Sequence, residues 1–474
     1  MYRSNGKRLS WILPVGLAAL ALSCDSSPVS LSEPCAADAV ASSAADVVAG
    51  YADCNVVLIS VDTLRADHLG AYGYARPTSP FIDSLAASGV LFEKAFTPRG
   101  LTRPSMVSLH TSLYPVASGV RTMMAKLDQS IPTIAASLEA HGYSTVSFRS
   151  GPLGRFRDLG FQEVFNGDDA EITDLATDWL DRNRPKRFFL WIHYFSPHDD
   201  YEPPVEFDRF TEPDYDGAYD GSRKKLMDVA IHQTELDEKD YRHIVGLYDG
   251  EIAYVDSLVR ELYAALEKME LLEKSIVIFV GDHGEDLYQH YRYFQHMYSA
   301  YDSSLRIPLL LKLPGSHIRK RVDSIVEIID IAPTIFDLIG QPVPPNFAGE
   351  SLLPLIDGTS DEILGRALSE LWTEDGPGKI LSIRTDRWRY IDNPTEKIPK
   401  ALSGHHFYTL EREELYDLQQ DPDETTNVVE RFPEIASSLR ERLRSAYHSQ
   451  PEGRAEGQVD EETMEQLRAL GYVP

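Results

Sequence analysis

Short, almost wholly apolar runs recur along the chain at residues 56–61, 90–95, 143–148, 188–194, 275–280 and 309–313. Apolar on consecutive positions and rich in β-branched residues, runs of this length predict strands buried on both faces of a parallel sheet. Between them the period lengthens to that of helices. Ser79-Pro80 opens one helix, with Ile82, Leu85 and Ala86 on one face and Gly89 at its end, and His141-Gly142 closes a second that spans 131–140. Helical periodicity returns at 170–183, 241–271 and 331–339. Strand and helix in alternation predict an α/β fold built on a doubly wound, mainly parallel sheet.

Beyond residue 375 the pattern changes. Residues 379–384, 388–391 and 406–410 read as strands at short spacing with turn signals between them, followed by a helix over 433–447 and an acidic tail containing 467–472. The expected organisation is therefore a main domain over 54–375 and a small C-terminal α+β subdomain over 376–474 that carries an antiparallel sheet. Residues 205–237 are polar and irregular, the character of a long loop over a site, where specificity usually resides. The tyrosine-rich stretch after His283, with His290 and His296, also reads as loop.

The amino-terminal 23 residues place Arg3, Lys7 and Arg8 before an apolar stretch at 11–22, too short for a membrane span and suited to a secretory signal. The stretch ends Ala21-Leu22-Ser23-Cys24, which is similar to a bacterial lipoprotein cleavage box and implies a lipid anchor at Cys24. An exported protein of the bacterial cell envelope, held to the membrane by that anchor, is the expectation. Residues 24–53, rich in Ser, Ala, Asp and Pro, then serve as a tether. With Cys24 acylated, Cys35 and Cys54 either pair or stay as thiols; three cysteines are too few for a disulfide framework. A formal net charge of -28 opposes binding to nucleic acid.

Candidate chemistry sits where the apolar runs end. Asp62 follows the first and Asp282-His283 the fifth, at the carboxyl ends of strands, where open α/β sheets keep their ligands. Thr102, two positions before Pro104, stands at a helix start, where the dipole favours a developing alkoxide. Alone, Thr102 reads as an N-cap and Asp62 as an ordinary strand-end acid. Together with Asp282 and His283 they offer oxygen and imidazole ligands to a divalent metal ion, a mixture that suits Mn or Zn and tolerates Ca or Mg.

Six segments in order carry a resemblance: V-D-T-L-R-A-D-H-L-G-A-Y-G-Y from Val61, the T-x-P-S helix start at Thr102, W-I-H-Y-F-S-P-H-D-D-Y-E-P-P at 191–204, G-D-H-G-E at 281–285, F-Q-H-M-Y-S-A-Y-D-S-S-L-R-I-P-L-L at 294–310, and E-L-Y-D-L-x-x-D-P-x-E-x-x-N from Glu414. These resemble the sulfatase branch of the alkaline phosphatase superfamily. The resemblance implies an alkaline-phosphatase-like fold and a metal-dependent hydrolase of an anionic sulfate or phosphate ester, carried by a small molecule, glycan or lipid. It implies that His198 and His296 bind the transferring group and that one of them protonates the leaving oxygen. His193 or His290 would join them if a second metal is bound, and both roles stay open.

The chain departs from that family where its nucleophile should lie. Sulfatases carry Cys or Ser in C/S-x-P-S-R, converted to formylglycine; this chain has Thr102 there and Met106 at the Arg position, so no formylglycine is expected. Thr63 replaces a second Asp, and Ser196 stands before Pro197. A formylglycine hydrate expels sulfate by collapsing to the aldehyde, whereas an ester of Thr102 must be cleaved by water. This is ordinary chemistry for a phosphoryl-threonine, which places phosphoesters above sulfate esters. Two other classes remain: a transferase handing the group to an acceptor hydroxyl on an exported glycan or lipid, and a catalytically inactive binding protein on the same fold.

Overall fold

The computed structural model describes residues 51–151, 157–183, 187–290, 294–297, 299–372, 379–394 and 411–469. The signal segment, Cys24, Cys35, nearly all of the tether, the strand expected at 406–410 and the end of the tail lie outside the described residues. Cys54 is a buried thiol.

The main sheet is built from β1 (Asn55–Val61), β2 (Val90–Phe96), β3 (Ser144–Arg149), β4 (Glu163–Asn166), β5 (Phe188–Tyr194), β6 (Ser275–Gly281), β9 (Arg306–Lys312) and β10 (Lys320–Glu327). Two-residue strands, β7 (Asp286–Leu287) and β8 (Phe294–Gln295), pair with each other after β6, so the stretch expected as loop holds a small hairpin. The main sheet runs β10-β2-β9-β6-β1-β5-β3-β4, and its pairs are parallel except where β9 lies antiparallel between β2 and β6. The doubly wound, mainly parallel α/β sheet read from the sequence is the sheet observed. β1 is central, and each of its residues is buried. Alternation sends Val56 and Leu58 into one apolar cluster, with the helices Thr102–Thr111, Ile134–Ala140 and Ile331–Leu338. It sends Val57, Ile59 and Val61 into the other, against the helices Pro80–Ala87, Asp169–Asn183 and Glu238–Lys268.

Register fixes the site. Val61 lies opposite Tyr194 of β5 and Gly281 of β6, so the three strands end at one level. The Asp62 amide donates to the Tyr194 carbonyl at 2.9 Å and the Asp282 amide to the Val61 carbonyl at 3.0 Å, continuing the ladder one residue past the strands.

The small sheet, β11 (Ala367–Trp372), β12 (Lys379–Arg384), β13 (Trp388–Asp392) and β14 (Glu413–Asp417), is antiparallel throughout and backed by the helix Pro433–His448. Its first strand precedes the boundary expected at 376. The polar segment 205–237 contains a helix, Arg223–His232, where only loop was expected. An ion network seats the small sheet on the main domain. Arg389 donates from Nε to Glu424 Oε1 at 3.0 Å, from Nη1 to Ser382 Oγ at 3.0 Å and from Nη2 to Asp302. The Asp302 amide in turn donates to Glu424 Oε2 at 2.6 Å.

Because the Arg389 side chain is 2% exposed, removing its charge leaves the buried Glu424 without its guanidinium and Asp302 with only the longer contact to Arg384 at 3.4 Å. Arg389→Met is expected to cost about 3–5 kcal/mol, the usual penalty for breaking a buried ion pair from one side. Urea denaturation followed by tryptophan fluorescence measures it, and a midpoint within error of the parent would rule the network out as the seat of the small sheet.

Candidate active site

Asp62, Thr102, Asp282 and His283 converge with no exposure to solvent. Thr102 is the first residue of its helix, not its cap: Leu101 holds the N-cap position without a side-chain bond. The Thr102 hydroxyl lies 3.4 and 3.3 Å from the two carboxylate oxygens of Asp62 and 3.3 Å from His283 Nε2. Ser105, one turn into the helix, donates to the Asp282 carbonyl at 2.7 Å and so locks the helix start to the end of β6. Gly284 has to be glycine here, since a Cβ would fall 2.0 Å from the Ser303 carbonyl oxygen.

The donor set fits a cation. His283 Nδ1 lies 2.9 Å from the Gly284 carbonyl, which can only accept, so Nδ1 carries the proton. Burial first of all pulls the imidazole down to about 4, so Nε2 bears a lone pair. That lone pair faces Asp62 Oδ1 and Asp282 Oδ2, each 3.5 Å away. Asp282 Oδ2 is buried and has no hydrogen-bond partner among the described residues. Three acceptors thus face one another, the imidazole nitrogen 3.5 Å from each carboxylate oxygen, too close for mutual repulsion to be ignored. Atoms bound to one cation at about 2.1 Å stand about 3.0–3.4 Å apart, close to the spacing found.

Charge within the pair divides unevenly. Burial by itself lifts Asp62, but contact with His193 and the charges of His198 and His283 outweigh it and hold the carboxyl below its usual range. Asp282 is driven well above its range by burial and then by the charge of Asp62. One carboxylate ionises readily and the second resists, as for any two like charges shut in together.

Thr63 supplies backbone rather than a side-chain ligand. Its φ of 49° lies in the left-handed region, a strained conformation for a β-branched residue. The turn so formed aims the Thr63 amide at Asp282 Oδ1, 3.0 Å away, beside the His283 amide at 2.6 Å. Met106, at the Arg position of the resemblance, is buried in the apolar cluster.

The remaining histidines separate. His193 stands beside the ligands, with Nε2 3.6 Å from Asp62 Oδ2 and Nδ1 2.8 Å from Ser60 Oγ. His198 and His296 also reach the site, their rings 5.2 Å apart and His296 4.3 Å from the His283 ring. Burial opposes charge on His198, but Asp199 overrides it and raises the imidazole. His296 is held well below its usual range by burial and by its histidine neighbours, and its Nε2 has no partner among the described residues. His290 is held elsewhere, between Asp286 at 3.1 Å and the Asp423 carbonyl at 3.2 Å, stacked on Tyr301. Asp199 and Glu285, the acids that hold His198 and His296, were quoted in the sequence motifs without a role. Arg223, which pairs with Asp199, had no local signal at all.

A family model described as Sulfatase matches residues 54–341, and one described as N-sulphoglucosamine sulphohydrolase, C-terminal, matches residues 289–449. The chain belongs to the sulfatase family. Arylsulfatase K of Rattus norvegicus is 29% identical over 452 residues, with 82% of this chain and 77% of the relative covered. The Delta 4,5-hexuronate-2-O-sulfatase of Bacteroides thetaiotaomicron is 25% identical over 438 residues, covering 82% and 86%. Among solved structures, a 2-O GAG sulfatase superposes with a TM-score of 0.69 at 22% identity, covering 84% of this chain and 92% of its own. The phosphonate monoester hydrolase of Agrobacterium radiobacter gives 0.69 at 21%, covering 84% and 96%. The fold is common to both. The protein is a sulfatase-family hydrolase with a possible metal site at Asp62, Asp282 and His283.

Asp282→Asn and His283→Ala are expected to lose bound divalent metal as well as activity while the circular dichroism spectrum is kept, because both side chains lie past a strand end. Elemental analysis of dialysed protein decides it; parent-like metal content in both variants would remove these residues from the metal site.

Proposed function

We propose that the protein hydrolyses phosphoesters, most favourably diesters, with Thr102 as a covalent nucleophile. The observation that carries this is the Thr102 hydroxyl at a helix start, within 3.4 Å of Asp62 and His283, in the position where sulfatases place formylglycine. A divalent cation, when bound by Asp62, Asp282 and His283, would lower the pKa of the Thr102 hydroxyl and offset the charge of the ester. Thr102 Oγ1 forms a bond to phosphorus as the bond to the leaving oxygen breaks, and His198, the imidazole raised by Asp199, gives that oxygen its proton. His296, kept neutral, is suited to hydrogen-bond a non-bridging oxygen. Water then attacks phosphorus, yields one proton to His198 and releases Thr102 as an alkoxide, which recovers from solvent the proton it gave up on forming the ester.

A second reading has support of its own: the relatives are named for sulfate esters, and the C-terminal match is to a sulphohydrolase. The same experiment separates the two. On this reading Thr102→Ser keeps measurable turnover and Thr102→Ala loses it by about three orders of magnitude or more. A slow phosphodiester should add one phosphoryl group to the peptide containing Thr102, read by mass spectrometry. Faster turnover of aryl sulfates than of every phosphoester tested, or an active Thr102→Ala, would overturn it. Transfer of the group to an added acceptor alcohol in preference to water would make the enzyme a transferase.

We also propose that the protein is exported and anchored through an acylated Cys24, which the basic and apolar start of the chain supports. Stable anchoring takes more than one acyl chain, and a bacterial lipoprotein carries several. Cys24→Ser should release the protein from the membrane fraction or block its processing, and an unmodified amino terminus by intact mass would end the proposal.

A further inference from the structure

The side chain of Asp199 is 1% exposed, and three side chains hold it. Its Oδ1 lies 2.8 Å from His198 Nδ1. Arg223 grips both oxygens, from Nε to Oδ2 at 2.9 Å and from Nη2 to Oδ1 at 2.7 Å, a bidentate geometry. Gln295 Nε2 donates to Oδ2 at 3.1 Å. The Asp199 carbonyl also stands 2.8 Å from His198 Nδ1, and the Phe195 ring stacks on the imidazole at 4.4 Å. Nδ1 and one face of the imidazole are held in this way, and the proposed proton exchange with an ester is assigned to Nε2. A buried carboxylate behind an imidazole fixes tautomer and ring angle and stabilises the imidazolium, as the acid does in a Ser-His-Asp triad.

Arg223 reaches this acid from a different part of the chain. It is the first residue of the helix Arg223–His232 within the polar segment 205–237, and its amide also donates to Asp200. The two clamps tie the start of that helix to the residues directly after His198.

We infer that Asp199 and Arg223 are positioning residues for His198, so that the segment 205–237 governs how well the enzyme cleaves esters whose leaving groups need a proton. The inference rests on His198 as the proton donor. Demand for that proton grows with the basicity of the leaving oxygen, so damage to the relay falls hardest on poor leaving groups. A purely structural ion pair would depress all esters alike.

Aryl esters running from 4-nitrophenyl to 4-methoxyphenyl, prepared as phosphodiesters and as sulfates, supply the test on the full-length metal-loaded enzyme. Asp199→Asn is expected to lower kcat about 100-fold for 4-methoxyphenyl esters, and by a factor at least tenfold smaller for 4-nitrophenyl esters. Arg223→Met should give the same tilt at about 10-fold, and Arg223→Lys should recover part of it. Metal content should match the parent in all three. An equal loss across the series overturns the proposal. His198→Ala distinguishes the failures: if it tilts the series and Asp199→Asn does not, the relay is wrong and the acid stands; if it leaves the slope unchanged, the acid itself is wrong. Should Asp199→Asn not fold, the two Arg223 variants carry the same comparison.

Discussion

Two carboxylates and a neutral imidazole are packed against one another in the interior, and the rest of the site follows from the need to hold them there. The ligand atoms of Asp62, Asp282 and His283 lie within 4.8 Å of one another. Two unit charges at that separation repel by about 3–4 kcal/mol at an effective dielectric near 20. The protein answers with backbone: amides of Thr63 and His283 on one Asp282 oxygen, and the ladder bonds that pin Asp62 and Asp282 to β5 and β1. Such a cluster is strained alone and relieved by a divalent cation, so the same rigidity that makes the cluster costly makes it a ready site.

The strain reaches the start of the Thr102 helix. Thr102 is held against Asp62 and His283 because its helix is bonded through Ser105 to the strand that delivers Asp282. Every residue of that helix is buried, so it has no solvent-facing side along which to shift. Thr97 lies 2.8 Å from the Ser105 hydroxyl and extends the lock to the end of β2. Hydroxyl and ligands are thus one rigid unit set by sheet register, and the charged groups around it, His198 with Asp199 and Arg223, come from a loop and the start of the helix Arg223–His232.

How much of this was legible in the sequence depends on the range of the interaction that fixes each part. Strands buried on both faces announce themselves as unbroken apolar runs, so β1, β5 and β6 are legible as strands, with Asp62 and Asp282 at the ends of β1 and β6. The edge strand β4, with partly exposed residues, gave no such run. β9 was read as a strand, but nothing local distinguishes the antiparallel direction it takes between β2 and β6. The helix Arg223–His232 was missed because its polar composition hides the few positions, Leu226, Val229 and Ala230, that it buries. His290 and His296 looked alike in a tyrosine-rich stretch. The hairpin of β7 and β8 sends His296 to the ligands and leaves His290 against Asp286 and the Asp423 carbonyl. Arg223 could not be linked to Asp199 from sequence, since the pair is made across 24 positions by a loop with no periodicity.

The two departures from the sulfatase pattern bear on each other. Relative to that pattern, Thr63 removes a negative ligand and Met106 removes a positive guanidinium, so the formal charge of the region is unchanged while its distribution is not. Thr63 now gives an amide to Asp282, and Met106 fills apolar space beneath the helix. A cation held there keeps more of its own charge uncompensated, because one anionic ligand is gone. On the proposed reading that surplus falls beside Thr102, and Met106 takes the place of the guanidinium that would share in supporting an alkoxide. A formylglycine hydrate leaves by breaking its own C–O bond, but a hydroxyl ester has to be displaced by water and needs a strongly polarised centre in both directions of the reaction. On the proposed reading, in which Thr102 is the nucleophile, loss of the ligand and loss of the guanidinium suit the same change, which is a reason to find them in one chain.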